Sequence, residues 1–155
     1  MTTRQDALAG LVADARCVLF GFDGPICRAV DPAWPTPYAD PLIRTWTAVG
    51  AHLGVVTDNS AEAARRYLEG RGLSACFGPR VYGRLDRAMA GTGATPGHTL
   101  MIGATVAELV AAREAGVAFV GYARDPDRER VLREAGAEQV IDSLKPIIDI
   151  LRGLT

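Results

Sequence analysis

Lysine is almost absent from this chain of 155 residues. The 17 basic residues are 16 arginines and Lys145, a ratio that codon bias in a GC-rich genome explains. Any chemistry that requires an ammonium group from the chain must therefore use that one position. With a formal net charge of −1, the chain also has no global basic field that would recruit nucleic acid or anionic membranes.

Cysteines and long apolar runs are scarce as well. The three cysteines are an odd number without metal-ligand spacing, which favours a reduced, cytoplasmic setting over a disulfide framework. No apolar run approaches the roughly 20 residues that a membrane-spanning helix needs, and the charged N-terminal segment is unlike a signal peptide. With 48% hydrophobic and 23% charged residues, the sequence is typical of a globular protein, and we predict one domain over residues 1–155.

Short apolar segments alternate with amphipathic segments along the chain. The apolar segments are 17–22, 53–57, 99–103, 117–123 and 138–141. Strands that are apolar throughout are usually covered by helices on both faces. The alternation therefore predicts an α/β fold with one doubly wound parallel sheet of about five strands flanked by helices. Residues 80–82 could add a further short strand.

A proline-rich stretch interrupts this pattern at residues 29–41. It contains four prolines, and because proline fixes φ and removes a backbone donor, we predict that the stretch is irregular. Trp34, Tyr38 and Trp46 lie in it or just beyond it. They form either an aromatic lid or dimer patch over the sheet, or simply the packing of this segment.

The carboxyl ends of the predicted strands carry the polar residues of interest. In open parallel sheets, ligands bind in the crevice beyond those ends. The corresponding segments here are Gly21-Phe22-Asp23-Gly24, Thr57-Asp58-Asn59-Ser60 and Gly103-Ala104-Thr105. We therefore predict that these loops form a ligand-binding site.

Four segments, in this order, resemble the haloacid dehalogenase-like superfamily of phosphatases and related hydrolases. They are VLFGFDGPIC (18–27), LGVVTDNS (53–60), TLMIGATVAELVAAREAGVAFVGYA (99–123) and PDRERVLREAGAEQVIDSL (126–144). The resemblance covers most of the chain from about residue 17 and implies a Rossmann-like core. It also implies a reaction in which an aspartate attacks phosphorus and a second aspartate, two residues on, acts as general acid and base.

Three positions that this mechanism needs are altered. The position of the nucleophile is Gly21, which has no side chain, whereas Asp23 retains the acid/base position and Thr57 the phosphate-binding hydroxyl. The resemblance also implies a Mg²⁺ site completed by one or two acidic residues after the strand at 99–103. The first of these is replaced by Ala104, and Glu108 stands where the second would be. We therefore expect no cofactor, with Mg²⁺ binding weak or lost.

The third alteration is the lysine that holds the phosphoryl group. The resemblance places it between Thr57 and Gly103, where this chain has no lysine. Arg84 lies in the right region, but its planar guanidinium is not equivalent to an ammonium group. The candidate ligand-binding residues are Phe22, Gly24, Thr57, Asp58, Asn59 and Arg84.

The cap that many members of the superfamily insert between the first two motifs is reduced. Only about 30 residues separate these motifs, and much of that length is the proline-rich segment 29–41. A crevice with so small a cover is open to water unless a second subunit closes it. A homodimer is therefore plausible.

Several residues near the crevice allow two interpretations. Asp23 is either a working acid/base or a carboxylate that caps its loop. Thr57 and the amides of Asn59 and Ser60 could hold an anion, which the charge of Asp58 opposes. Cys27 is a nucleophile only if a histidine pairs with it, and no histidine lies nearby in the sequence.

The sequence thus favours a pseudo-hydrolase with a binding or regulatory role toward a small molecule or a protein partner. It predicts neither nucleic-acid nor membrane binding. A first alternative is a metal-independent enzyme, for example in a bacterial biosynthetic pathway, that uses Asp23 as acid/base. A second is a residual phosphohydrolase in which Glu108 and Asp58 rescue the metal site.

Overall fold

Strands of two to five residues alternate with helices in the computed structural model, which describes residues 3–28, 34–58 and 60–154. The strands are β1 (Cys17–Gly21), β2 (Cys27–Arg28), β3 (Trp34–Pro35), β4 (His52–Val56), β5 (Val81–Tyr82), β6 (Thr99–Gly103), β7 (Ala118–Tyr122) and β8 (Val140–Ile141). The helices are α1 (Arg4–Asp14), α2 (Ala39–Ala48), α3 (Ala61–Gly70), α4 (Ser74–Phe77), α5 (Leu85–Thr92), α6 (Val106–Ala115), α7 (Pro126–Glu134) and α8 (Lys145–Gly153). No helix in these ranges is both long enough and apolar enough to cross a bilayer.

Six of the strands form one parallel sheet in the order β5-β4-β1-β6-β7-β8. The predicted α/β fold with a parallel sheet flanked by helices is thereby confirmed. The chain runs from β1 outward through β4 to β5, and then returns to β6 on the other side of β1. The strand order therefore reverses beside β1, and such a switch point opens a crevice at the carboxyl ends of the strands.

The predicted count of five strands is wrong, because the sheet has six. The additional strand is β5 at one edge, where Val81 lies opposite Val55 and Tyr82 opposite Val56. Two residues are too few to show either an apolar run or an alternating pattern. The sequence therefore offers residues 80–82 only as a possible further strand, and the pairing with β4 shows that Val81–Tyr82 belongs to the sheet.

The proline-rich stretch is more regular than predicted. Trp34 and Pro35 pair antiparallel with Arg28 and Cys27 in a separate two-stranded sheet. Proline is tolerated there because a two-stranded sheet has only edge strands. Residues 29–33 of the predicted cap segment lie outside the described residues.

The core is divided between the two faces of the sheet. Val18 and Phe20 of β1 belong to the larger apolar cluster, which includes residues of α1, α2 and α8. Leu19 belongs to a second cluster with residues of α5 and α6 on the other face. Trp46 is only 1% exposed and packs edge-to-face on Phe20 at 5.8 Å between ring centroids. It is therefore a core residue, whereas Trp34 is 61% exposed.

Candidate functional site

A cavity of about 520 Å³ lies at the carboxyl ends of β1, β4 and β5 and extends along α6 as far as Ala115. Six of the predicted site residues line it: Phe22, Asp23, Thr57, Asp58, Arg84 and Glu108. Gly21, Gly24 and Ala104 are described by the structure but are not among the lining residues. Asn59 lies outside the described residues. The tertiary structure thus gathers most of the candidate residues around one cavity.

Gly21, at the end of β1, lies directly against the side chain of Glu108 in α6. A Cβ atom built on Gly21 would be 3.0 Å from Glu108 Cδ and 3.2 Å from Oε1, with Oε2 closer still. The carboxyl group of Glu108 therefore occupies the volume in which a side chain at position 21 would begin. Because packed atoms cannot overlap, the absence of a side chain at Gly21 is what allows this position of Glu108.

The same glutamate caps the helix on which it lies. Thr105 is the N-cap of α6, and its Oγ1 accepts a hydrogen bond from the Glu108 N–H at 3.1 Å. Glu108 Oε1 accepts hydrogen bonds from the N–H groups of Ala104 at 2.9 Å and Thr105 at 3.1 Å, and from Thr105 Oγ1 at 3.1 Å. This capping box fixes the orientation of the carboxyl group.

Burial sets the ionisation of Glu108. Removal from water raises the pKa of its carboxyl group above the ordinary value, and the nearby charge of Asp58 acts in the same direction. The hydrogen bonds from Ala104 and Thr105 oppose that rise in the pKa. Glu108 therefore takes up a proton more readily than an exposed glutamate does.

Asp23 is presented by a compact loop after β1. The N–H groups of Ile26 and Cys27 donate to the Phe22 carbonyl at 3.3 and 3.2 Å, and the Gly24 N–H donates to the Cys27 carbonyl at 2.8 Å. Phe22 is anchored in turn by an edge-to-face contact with Tyr67 at 5.5 Å between centroids. These bonds hold Asp23, which is half-buried, at the rim of the cavity.

Gly24 brings this loop into close contact with Ala104, which precedes α6. Its φ is +103°, in the region that favours glycine, and a Cβ built on it would lie 2.9 Å from the Cβ of Ala104. Position 104, where the superfamily resemblance places an acidic metal ligand, thus carries a methyl group packed against the loop of Asp23. The loop and the start of α6 fit together because both residues are small.

Thr57 and Arg84 form another part of the rim. Thr57 is buried at the end of β4, and its N–H donates to the Tyr82 carbonyl at 2.9 Å. Arg84 precedes α5 and forms an ion pair with Asp86 at 3.0 Å. The guanidinium that lies in the region of the missing lysine is thus directed to a neighbouring carboxylate. Lys145 lies on α8 and donates to Asp149 at 3.0 Å.

Part of the cavity lining is apolar, which the residues at the strand ends do not predict. This part consists of the apolar residues Val56, Leu85, Met101, Ala107, Ala111 and Ala115. Two further acidic residues, Asp86 and Glu114, also line the cavity. The spacing of Ala107, Ala111 and Ala115 places them on one face of α6, a signal that the sequence did contain.

The acidic residues around the cavity are not arranged as a metal site. Within residues 3–28, 34–58 and 60–154, no three His, Cys, Asp or Glu side chains are grouped as metal ligands. Glu108, considered as a metal ligand from its sequence position, has one carboxylate oxygen engaged in the capping box. The expectation that Mg²⁺ binding is weak or lost stays a prediction.

Solved structures of low sequence identity share this architecture. A haloacid dehalogenase-like hydrolase family protein from Streptococcus pneumoniae is 10% identical, with a TM-score of 0.73 over 92% of this chain and 100% of that chain. A hydrolase of the same family from Deinococcus radiodurans, with bound phosphate and sodium, is 16% identical, with a TM-score of 0.68 over 92% of this chain and 96% of that chain. A conserved haloacid dehalogenase-like protein of unknown function from Agrobacterium tumefaciens is 15% identical, with a TM-score of 0.65 over 90% and 99% of the two chains.

These similarities are structural. No family model matches the sequence, and no curated protein matches it. The solved structures nevertheless confirm the resemblance at the level of the fold: the chain has the haloacid dehalogenase-like fold.

Proposed function

We propose that this chain, which has the haloacid dehalogenase-like fold, is a pseudo-hydrolase that binds a small molecule or a protein partner in its crevice. It does not hydrolyse phosphate esters by the aspartyl-phosphate route, and it acts in the cytoplasm. The observation that carries this proposal is the relation between Gly21 and Glu108. The position from which the nucleophile would project has no side chain, and a neighbouring carboxyl group fills the space.

Glu108 is a poor substitute for the missing nucleophile. An aspartate at position 21 would extend its carboxylate beyond its Cβ, whereas the carboxyl group of Glu108 lies beside the Cβ position itself. Three hydrogen bonds to Oε1 hold it there, and burial disfavours its ionised form. Because loss of one residue of a nucleophilic catalytic site typically lowers the rate by roughly 10⁴- to 10⁶-fold, hydrolysis by this route is negligible.

The donor set also fits Mg²⁺ poorly. Magnesium requires an octahedral set of oxygen ligands, and neither Gly21 nor Ala104 supplies a side-chain oxygen. Glu108 already accepts its three hydrogen bonds on one oxygen. We therefore assign no step of the function to a metal ion.

An assay with p-nitrophenyl phosphate tests this proposal. Purified protein at micromolar concentration, with millimolar MgCl₂ near pH 7, should release nitrophenol no faster than buffer does, and EDTA should change nothing. A phosphatase of the same fold serves as the positive control. Turnover that EDTA abolishes and that Asp23→Asn removes would refute the pseudo-hydrolase assignment.

A second candidate is a metal-independent enzyme that uses Asp23 as acid or base. It is favoured by the position of Asp23, which a hydrogen-bonded loop holds at the rim of a partly apolar cavity. Complementation of a deletion strain separates the two functions. A binding protein should tolerate Asp23→Asn with little loss, whereas the enzyme should lose complementation although the variant is folded and expressed normally.

A further inference from the structure

We infer that the crevice takes an amphipathic organic cation, an amine or guanidine attached to an apolar body. This inference rests on the proposed binding function and names the chemical class of the ligand. Two properties of the lining of this cavity carry it: the sign of its charged groups and the apolar side chains beside them.

The charged residues that line the cavity are predominantly acidic. Among the described lining residues, the acidic ones are Asp23, Asp58, Asp86, Glu108 and Glu114, and Arg84 is the one cation. Five carboxylates and one guanidinium sum to a formal charge of −4 when all are ionised, and to −3 when Glu108 is protonated. The whole chain carries only −1, so negative charge is concentrated at this crevice.

This charge disfavours an anionic ligand. Arg84, the one cation among the described lining residues, is paired with Asp86 at 3.0 Å, so its charge is already balanced locally. A phosphate group at the rim would face the carboxylates of Asp23 and Asp58 without a free lysine to offset them. A cation would instead be attracted by the field of the whole crevice.

The charge of the cavity attracts organic and inorganic cations alike. The apolar side chains of its lining favour the organic cation. Val56, Leu85, Met101 and Ala111 give the cavity an apolar side, which a hydrated ion would leave exposed to water. The volume of about 520 Å³ lies within the range of small-molecule sites, roughly 300–1,000 Å³. An apolar body against this apolar side, with its cationic group at the acidic residues, satisfies both surfaces.

Calorimetric titration with three matched indoles tests the inference. Tryptamine is cationic near pH 7, tryptophol is its neutral counterpart, and indole-3-acetate is anionic. Because a charge-assisted contact is worth more than a neutral one, we expect tryptamine to bind at least roughly tenfold more tightly than tryptophol. Indole-3-acetate and inorganic phosphate should bind least, and added salt should weaken tryptamine binding.

A pair of glutamate substitutions locates the site. Glu114→Gln removes a carboxylate that lines the cavity, and Glu134→Gln removes an exposed one on α7 that does not. Both residues are exposed, so neither change should alter the melting temperature much. Glu114→Gln should weaken tryptamine binding roughly three- to tenfold, and Glu134→Gln should leave it unchanged.

Several outcomes would overturn the inference: no tryptamine binding at millimolar concentration, equal binding of tryptamine and tryptophol, or tighter binding of indole-3-acetate or phosphate. An equal effect of the two glutamate variants would also contradict it. These failures are distinct from failure of the proposed function. That function is refuted by EDTA-sensitive phosphatase activity, whichever indole binds.

Discussion

The carboxyl group of Glu108 lies where a side chain at Gly21 would begin, so this carboxyl group and a side chain at position 21 cannot occupy the same space. This relation couples the end of β1 to the first turn of α6. It also links the missing nucleophile to a helix cap, since the glutamate that fills the space is the one that completes the capping box of Thr105.

The coupling predicts a non-additive pair of substitutions. Gly21→Ala should lower the free energy of unfolding by about 1–3 kcal/mol because the new methyl group overpacks the site. Glu108→Ala should lower it by about 1 kcal/mol through loss of the cap. In the double variant the methyl group enters vacated space, so the combined loss should fall short of the sum by about 1 kcal/mol.

Urea denaturation of the four proteins measures this cycle. Gly10→Ala in α1 is the matched control, because a Cβ there meets no atom within 4 Å. It should stabilise the protein by about 0.5–1 kcal/mol, as expected for alanine in place of a helical glycine. Additive losses at positions 21 and 108 would show that the side chains do not compete for one volume.

The raised pKa of Glu108 predicts a pH dependence of stability. A carboxyl group whose folded pKa exceeds its unfolded value stabilises the fold below the unfolded pKa, ordinarily 4.5, and loses that contribution as pH rises through the folded pKa. Glu108→Gln does not titrate. The stability of the natural protein relative to Glu108→Gln should therefore decrease as pH rises from about 4 to 7, as urea denaturation at each pH would measure. A relative stability that increases over this range would contradict burial as the dominant cause.

Cys27 should be chemically inert in the folded protein. Its side chain is fully buried, and burial together with the charge of Asp23 raises the pKa of its thiol to about 12. Because the thiolate is the reactive species, iodoacetamide at pH 8 should modify the half-buried Cys76 well before Cys27, as peptide mass spectrometry would show. In the urea-denatured protein, iodoacetamide should modify Cys27 and Cys76 at similar rates. Preferential labelling of Cys27 in the native protein would contradict this prediction and support Cys27 as a nucleophile.

Gly24 should not tolerate a side chain. Gly24→Ala combines a φ of +103° with a Cβ 2.9 Å from that of Ala104, so we expect a loss of about 1–3 kcal/mol. Gly97→Ala is the control, since a Cβ at Gly97 meets nothing within 4 Å and its φ lies outside the left-handed region. Differential scanning calorimetry should show a clear fall in melting temperature for Gly24→Ala only. Similar melting temperatures would mean that the loop after β1 adjusts without loss.

The strands that form the centre of the sheet were predictable from the sequence. Segments 17–22 and 99–103 are apolar throughout, and only burial on both faces satisfies such a pattern. The edge strand Val81–Tyr82 could be given only as a possible short strand at 80–82, and the pairing at Trp34–Pro35 was not predicted. Each consists of two residues, and their regular structure comes from pairing with another strand.

The candidate site, like the sheet, was predictable only in part. The positions of Asp23, Thr57 and Arg84 follow from the rule that loops after parallel strands meet at one edge. The role of Glu108 does not follow from its position in a motif, since the motif suggests a metal ligand. Its place beside Gly21 depends on the pairing of β1 with β6 and on the capping geometry at Thr105.

The sequence by itself determined the fold class, the loops that surround the crevice, and the absence of a side chain at Gly21. These properties depend on residue type and periodicity, which are local. Only the tertiary structure decided what fills the space beside Gly21 and that acidic and apolar side chains line one cavity. Those relations arise because packing brings residues of different strands and helices within contact distance, and no local pattern in the sequence encodes such distances.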